Sequence, residues 1–353
     1  MKRVIITLLT LTVMLFMVSC GSDNTQEPAE YEIAMIEGSS EIEDGSFAEK
    51  TWESVEGFAG TNGLTSKRYM PKEATKEAYM ASIDEAVNNK AKMIIMAGSS
   101  FETTAYSAQS AYPDICFLLI DGVPHDGGDE YGAAANTIGV IFAEEQAGYM
   151  AGYAAVKDGY SKLGFMGGKA LPSVKRYGAG FVQGAAAAAQ ELEKKVEITY
   201  KYMDTSSPSE DVKAESAKWY EDGVEIIFAC GGEIDIAVVS SAEECRGKVI
   251  GADTDQSGLS QTVVTSAQKE IGVVINDMLE NYVDGKYVGG TAFNYTAANG
   301  GVSLQMDNAK FSSFSNKDYE KLFNKLAAGK IELKKDTSVD SVKDLTGEWV
   351  TIK

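Results

Sequence analysis

The residues best placed to do chemistry are small and acidic groups that each follow an apolar, strand-like run. They are Glu37-Gly38-Ser39, Gly98-Ser99-Ser100-Phe101, Asp121-Gly122, Gly167-Gly168-Lys169, Cys230-Gly231-Gly232 and Asp253-Thr254-Asp255. Glycine lets backbone approach a ligand closely, while hydroxyls and carboxylates take hydrogen bonds from it. The pattern suits a small polar ligand, although glycine at such turns also serves plain geometry. Other chemistries lack their parts. The chain has one histidine, His125, which leaves no material for a His-rich metal site or a His-based triad. It contains no G-x-x-x-x-G-K-[ST], no strand-borne G-x-G-x-x-G, no G-x-S-x-G and no H-E-x-x-H. Glu144 and Glu145 are adjacent on a helix, point in different directions, and read as first-turn acids favoured by the helix N-terminus. The run Asp126-Gly127-Gly128-Asp129-Glu130 lacks the alternating oxygen-ligand spacing of a calcium loop. No catalytic residue, metal site or cofactor emerges.

The elements that must position these groups alternate. Strands are predicted at Glu32–Glu37, Met93–Ala97, Ile115–Ile120, Thr137–Phe142, Lys162–Met166, Glu197–Met203, Glu225–Ala229, Lys248–Ala252 and Thr262–Thr265. Between them, helices are predicted near Ser46–Gly60, Ala74–Asn89, Phe101–Tyr112, Ala143–Lys157, Lys175–Leu192, Ser209–Asp222, Ile234–Glu243 and Ala267–Val283. Strand–helix alternation with continuously apolar strands means parallel sheet covered on both faces. Ligands of such sheets bind outside the carboxyl ends of the strands, where the groups above lie. The helix EQAGYMAGYAAV (145–156) is crowded with Ala and Gly, which implies close packing on a neighbour.

Composition narrows the partners. At 353 residues two domains are the natural expectation, and a formal net charge of −20 argues against nucleic acid. Met1-Lys2-Arg3 followed by an apolar run from Val4 to Val18 reads as a signal peptide over residues 1–19. Met17-Val18-Ser19-Cys20 is similar to a bacterial lipobox, so Cys20 is the expected lipidation site and residues 20–30 a tether. Cys116 and Cys230 sit in apolar runs and Cys245 in a polar stretch, which supports neither a zinc site nor a disulfide framework.

Several segments together resemble the extracytoplasmic solute-binding lipoproteins of the basic membrane protein family, whose best understood members are purine nucleoside receptors of ABC importers. They include Asp44-Gly-Ser-Phe-Ala-Glu-Lys-Thr-Trp52, Leu119-Ile-Asp121-Gly122, Glu145-Gln-Ala-Gly-Tyr-Met-Ala-Gly152, Gly164-Phe-Met-Gly-Gly168, Phe228-Ala-Cys-Gly-Gly232, Gly251-Ala-Asp253-Thr-Asp255-Gln256 and Thr265-Ser-Ala-Gln-Lys269. The resemblance implies the type I periplasmic-binding fold, an α/β architecture of two Rossmann-like lobes with parallel sheets joined by three crossovers. Lobe one would take 31–139 plus 259–295, and lobe two 140–258 plus 296–353. It also implies a site between the lobes. Asp44 and Asp121 would meet a base, with Phe47, Trp52 or Phe101 stacking on it. Asp253 and Lys269 would meet a ribose, and Gly231 and Gly232 would allow close backbone approach. The alternative for Trp52 is a core residue at the start of a helix, and for Asp253 a structural turn. Two positions depart from the family: Ala48 replaces the usual Asn after Ser-Phe, and Ser206 stands where relatives commonly carry an aromatic. A related nucleoside, a modified base or another small polar solute would fit these changes. The implied partners are an ABC permease and its ATPase, with the membrane reached through the N-terminal lipid and the receptor monomeric. A membrane-anchored nucleoside or glycoside hydrolase using Asp44 and Asp253, or a ligand sensor on the same fold, are the competing readings.

Overall fold

The computed structural model describes residues 30–38, 45–128, 130–335 and 341–353. Asp44, Cys20 and the signal segment lie outside these described residues. The strands are β1 (Ile33–Ile36), β2 (Ser66–Tyr69), β3 (Met93–Ala97), β4 (Cys116–Ile120), β5 (Thr137–Phe142), β6 (Lys162–Gly167), β7 (Val196–Tyr202), β8 (Ile226–Cys230), β9 (Lys248–Asp253), β10 (Val263–Lys269), β11 (Thr291–Tyr295), β12 (Val302–Leu304) and β13 (Val350–Ile352). The α-helices are α1 (Phe47–Asn62), α2 (Lys76–Asn88), α3 (Glu102–Ala111), α4 (Glu144–Lys157), α5 (Pro172–Glu191), α6 (Glu210–Glu221), α7 (Ile234–Cys245), α8 (Ile271–Val283) and α9 (Asn316–Ala327).

Two sheets form, in the orders β11-β5-β4-β3-β1-β2 and β12-β10-β9-β8-β6-β7-β13. All pairings are parallel except β10 with β12. The central strands IAMI, MIIMA and CFLLI are apolar throughout because helices cover both faces of the sheet, and nearly every one of their residues is buried. The molecule is thus the two-lobed type I periplasmic-binding fold. The chain passes between lobes after β5, after β10 and after β11.

These passages correct the expected boundaries at two points. β5 runs to Phe142 in the first sheet, so lobe one continues past Gly139. Residues 263–269 belong to lobe two, because β10 pairs with β9 and β12; the return to lobe one comes with α8, which packs on α1. Ala267-Gln268-Lys269, expected to open a helix, are the end of that strand: hydrogen bonds to β12 override their helical preference.

The Ala- and Gly-rich helix α4 packs along α5. At the contact a Cβ on Gly148 would lie 2.2 Å from the Tyr177 carbonyl oxygen, and one on Gly152 would lie 2.1 Å from that of Phe181. Reciprocally, a Cβ on Gly180 or Gly184 would reach the α4 backbone at 2.0 Å. Backbone meets backbone, so no side chain can rotate away. Gly152→Ala is therefore expected to cost at least about 2 kcal/mol, within the usual range for overpacking. Thermal unfolding checks this, and a loss under about 0.5 kcal/mol would show that the helices part freely.

Candidate functional site

A cavity of about 710 Å³ opens between the lobes at the carboxyl ends of the strands. Lobe one contributes Glu37 after β1, the segment Gly45 to Ala48, Ala97 at the end of β3 and Ser100 beyond it. Lobe two contributes the end of β8 with Gly232, the start of α7 with Asp235, and the loop after β9 from Asp253 to Leu259. The elements set these positions locally. Ser46 caps α1, its Oγ accepting from the Glu49 N–H at 3.2 Å, which fixes Phe47 at the first helical position facing the cavity. The Thr254 hydroxyl donates to the Gly45 carbonyl at 2.8 Å and so ties one wall to the other.

Beside the cavity lies a buried charge cluster. Lys269 Nζ, on a side chain 2% exposed, sits 3.0 Å from Asp121 Oδ2, 3.1 Å from Asp253 Oδ1 and 3.4 Å from Glu144 Oε1. The rings of Phe47, Phe142 and Tyr177 surround the ammonium at 5.3, 5.5 and 5.7 Å. Asp121, directly after β4, and Asp253, at the end of β9, have φ of +62° and +65°, a left-handed turn that aspartate tolerates better than most residues. Asp121 comes from lobe one while Lys269 and Asp253 come from lobe two, so the ammonium links the lobes. The Tyr177 hydroxyl donates to Asp253 Oδ1 at 3.1 Å, and Arg176 Nε reaches Glu144 at 2.5 Å. Burial alone would push Glu144 up, but Lys269 and Arg176 hold it below the usual carboxylate range. Burial dominates at Asp121, which is raised despite Lys269. Lys269, which burial would depress, is held above its ordinary value by Asp121, Asp253 and Glu144.

The structure thus divides the expected site residues. Phe47, Gly232 and Asp253 line the cavity; Asp121 and Lys269 join Asp253 in the cluster behind it. Gly231 packs against Gly168 and Val174, and at Gly232 a Cβ would meet the Ser206 carbonyl oxygen at 2.2 Å. Gly232 therefore seats the loop that carries Ser206, while Gly231 seats the turn after β6. Two aromatics point elsewhere. Trp52, one turn beyond the capped end of α1, is half-buried with the Arg68 guanidinium 5.6 Å from its ring. Phe101, 1% exposed, packs on Tyr79 in the core behind the first sheet, at 4.5 Å between centroids. Neither lines the cavity.

Of the lining carboxylates outside the expected set, Glu37 and Asp235 are buried. Glu37 is 1% exposed, neither of its carboxylate oxygens has a hydrogen-bond partner among the described residues, and Arg68 Nε is 4.0 Å away. Burial pushes it up to about 7, partly offset by Arg68 and reinforced by Glu49. Asp235, also pushed up to about 7 by burial, accepts from Gln256 Nε2 at 2.7 Å. Glu37 was visible in the sequence as a strand-end acid; Asp235, on α7, carried no local signal. Among the described residues no group of His, Cys, Asp and Glu could hold a metal ion, and no helix is long and apolar enough to cross a membrane.

Two α/β lobes facing each other across a polar cavity at their strand ends define a protein built to enclose a small solute. Residues 32–337 match the family described as Bmp, ABC transporter substrate-binding protein PnrA-like, and the chain belongs to it. The ABC transporter nucleoside-binding protein BmpA of Lactococcus lactis is 27% identical over 298 residues, covering 78% of this chain and 82% of the relative. Basic membrane protein B of Borreliella afzelii is 30% identical over 239 residues, 65% of this chain and 67% of the relative. Among solved structures, an ABC transporter solute-binding protein from Aeropyrum pernix K1 superposes with a TM-score of 0.74 at 16% identity, covering 90% of this chain and 98% of that one. A transcriptional activator of the comK gene from Bacillus halodurans gives a TM-score of 0.66 at 18% identity, covering 84% and 96%. At such identities these structures establish the fold alone. As a member of the family the chain is an extracytoplasmic, membrane-associated substrate-binding lipoprotein of ABC import, and the family's members are non-catalytic.

Proposed function

We propose that the cavity takes a purine nucleoside, or a neutral solute closely related to one, and delivers it to a membrane permease driven by a cytoplasmic ATPase. The observation that carries this reading is the pairing of Glu37 and Phe47 on one wall. A buried carboxylate whose two oxygens have no partner among the described residues calls for N–H donors, and a ring lining the same cavity suits the flat face of a heterocycle. On the facing wall Asp253, held by Lys269 and Tyr177, offers acceptor oxygens to vicinal hydroxyls. The similar L. lactis protein, named for nucleoside binding, supports the same class. In this reading Asp121 belongs to the cage around Lys269 instead of touching the base, and Trp52 stays outside the site.

Charge sets a second limit on the solute. Among the described residues, Glu37, Glu233, Asp235, Asp253 and Asp255 line the cavity with Lys50 as the one lining cation. Unit like charges about 8 Å apart repel by roughly 2 kcal/mol at an effective dielectric near 20, so a phosphate is strongly disfavoured. Calorimetry with adenosine, adenine and AMP tests the proposal. Adenosine is expected to bind and be recovered intact, with AMP at least about a hundredfold weaker. Asp253→Ala is expected to weaken adenosine by about 1.5–3 kcal/mol, the scale of a hydrogen bond to a charged group, while changing adenine little. No binding of any nucleoside would overturn the assignment, and equal losses for adenosine and adenine would make Asp253 purely structural.

A further inference from the structure

The loop between β9 and β10 supplies much of the cavity's second wall, from Thr254 to Leu259, and it has no regular structure of its own. What holds it comes from a segment distant in sequence. Lys310, beyond β12 and outside the cavity lining, extends its ammonium to two carbonyl oxygens of this loop, Ser257 and Ser260, each at 3.0 Å, and to that of Val263, the first residue of β10, at 2.8 Å. An ammonium has three N–H donors, and here each has one carbonyl. The backbone N–H of Lys310 meets the Val264 carbonyl at 2.7 Å, which fixes the root of the side chain on β10. From the same segment Gln305 Nε2 and Asn308 Nδ2 donate to Asp255 Oδ2 at 2.6 and 3.0 Å, and Asp255 Oδ1 accepts from the Ser257 N–H at 2.9 Å. The loop is therefore stitched from outside at both of its ends. That segment follows directly on the third passage between the lobes, so the wall is tied to the chain that must flex when the cleft opens.

We propose that Lys310 is a positioning residue for solute capture, its ammonium serving as the built-in cation of a three-carbonyl cage that holds the cavity's lobe-two wall in its binding shape. The inference rests on the cavity being the solute site. Removing the ammonium leaves three converging carbonyl dipoles without a donor, and the loop relaxes away from the geometry that binds. The cage has the chemistry of a monovalent-cation site, which gives a specific readout. Ammonium ion can re-enter it; tetramethylammonium, larger and without N–H groups, cannot. An arginine, with a planar fork of donors, cannot aim at three carbonyls converging on a point.

The test is Lys310→Ala in the full chain, with Lys310→Arg beside it. Amide hydrogen exchange over residues 255–263 and calorimetry with adenosine are measured in ammonium chloride and in tetramethylammonium chloride at equal ionic strength. Exchange in the loop is expected to rise about tenfold in Lys310→Ala and adenosine affinity to fall about tenfold, as for a binding surface that has lost its preorganisation. Both should return to within about threefold of the unmutated protein at about 100 mM ammonium, with no recovery in tetramethylammonium. Lys310→Arg should stay impaired in either salt. Unchanged exchange and affinity would overturn the proposal, and so would a rise in exchange spread over all of lobe two and indifferent to ammonium. If the unmutated protein binds no adenosine, the nucleoside assignment falls, and the ammonium-dependent exchange of the loop alone decides on Lys310.

Discussion

Lys269→Met is expected to lower stability at neutral pH by about 3–5 kcal/mol, the cost of breaking a buried ion pair from one side. The side chain lengths are similar, so packing changes little and the charge is what is lost. Asp121, Glu144 and Asp253 are then left around an apolar group, with Arg176 neutralising Glu144 alone. Because Lys269 is held above its ordinary value, its contribution in the native protein is complete below pH about 10 and constant across the neutral range. The variant behaves differently. Its carboxylates, buried without their cation, take up protons more readily folded than unfolded, so its stability falls as pH rises. The deficit should therefore be smaller at pH 5 than at pH 8. Thermal unfolding at the two pH values measures this, with a loss of at least about 5 °C expected at pH 8. A variant within about 1 °C of the parent at both would mean that the cluster does not hold the lobes. Asp121→Asn, which leaves one cation facing two carboxylates, is expected to cost far less.

Solute affinity is expected to fall by up to about tenfold for each pH unit below 7, reaching about thirtyfold at pH 5.5. The cause is Glu37, which burial holds at about 7 and which must be ionised to accept two N–H donors. In the free protein the sign is the opposite of a stabilising salt bridge. Between pH about 4.5 and 7 the folded state carries more protons at Glu37 and Asp235 than the unfolded chain, so stability declines as pH rises through that window. Binding releases the Glu37 proton and recovers the burial cost through hydrogen bonds. Calorimetry in buffers of different ionisation enthalpy should register up to one proton released per solute near pH 6. Glu37→Gln should flatten the dependence, and Asp235→Asn separates any share carried by the facing wall. An affinity constant from pH 5.5 to 8 would remove Glu37 from the site.

The sequence was most readable where structure is locally written. Continuous apolar runs such as MIIMA and CFLLI announced buried parallel strands, and the glycines, hydroxyls and acids after them marked the cavity rim. β2 (SKRY), β11 (TAFNY), β12 and β13 were illegible: each is short and lies at a sheet edge, with polar or exposed residues among them. Asp253 and Lys269 were expected as neighbours, and they stand 3.1 Å apart. Glu144 is the instructive case. It does sit in the first turn of α4, as its local setting implied, yet it is fully buried because its cations arrive from Arg176 and Lys269 far along the chain. Trp52 and Phe101 show the same limit from the other side. Resemblance supplied aromatic candidates, and helix phase and core packing decided which of them reached the cavity.

The threading of the chain has a consequence for how such a molecule is made. The first sheet begins at Ile33 but ends with an outer strand, β11, from residues 291–295. The second ends with β13 at residues 350–352, laid beside β7 some 150 residues earlier. The first sheet is complete only once residue 295 has been made, and the second only once residue 352 has. Contacts so distant in sequence form slowly. These two outer strands are thus the last of their sheets to be added along the chain, and closure of the two edges comes late in folding.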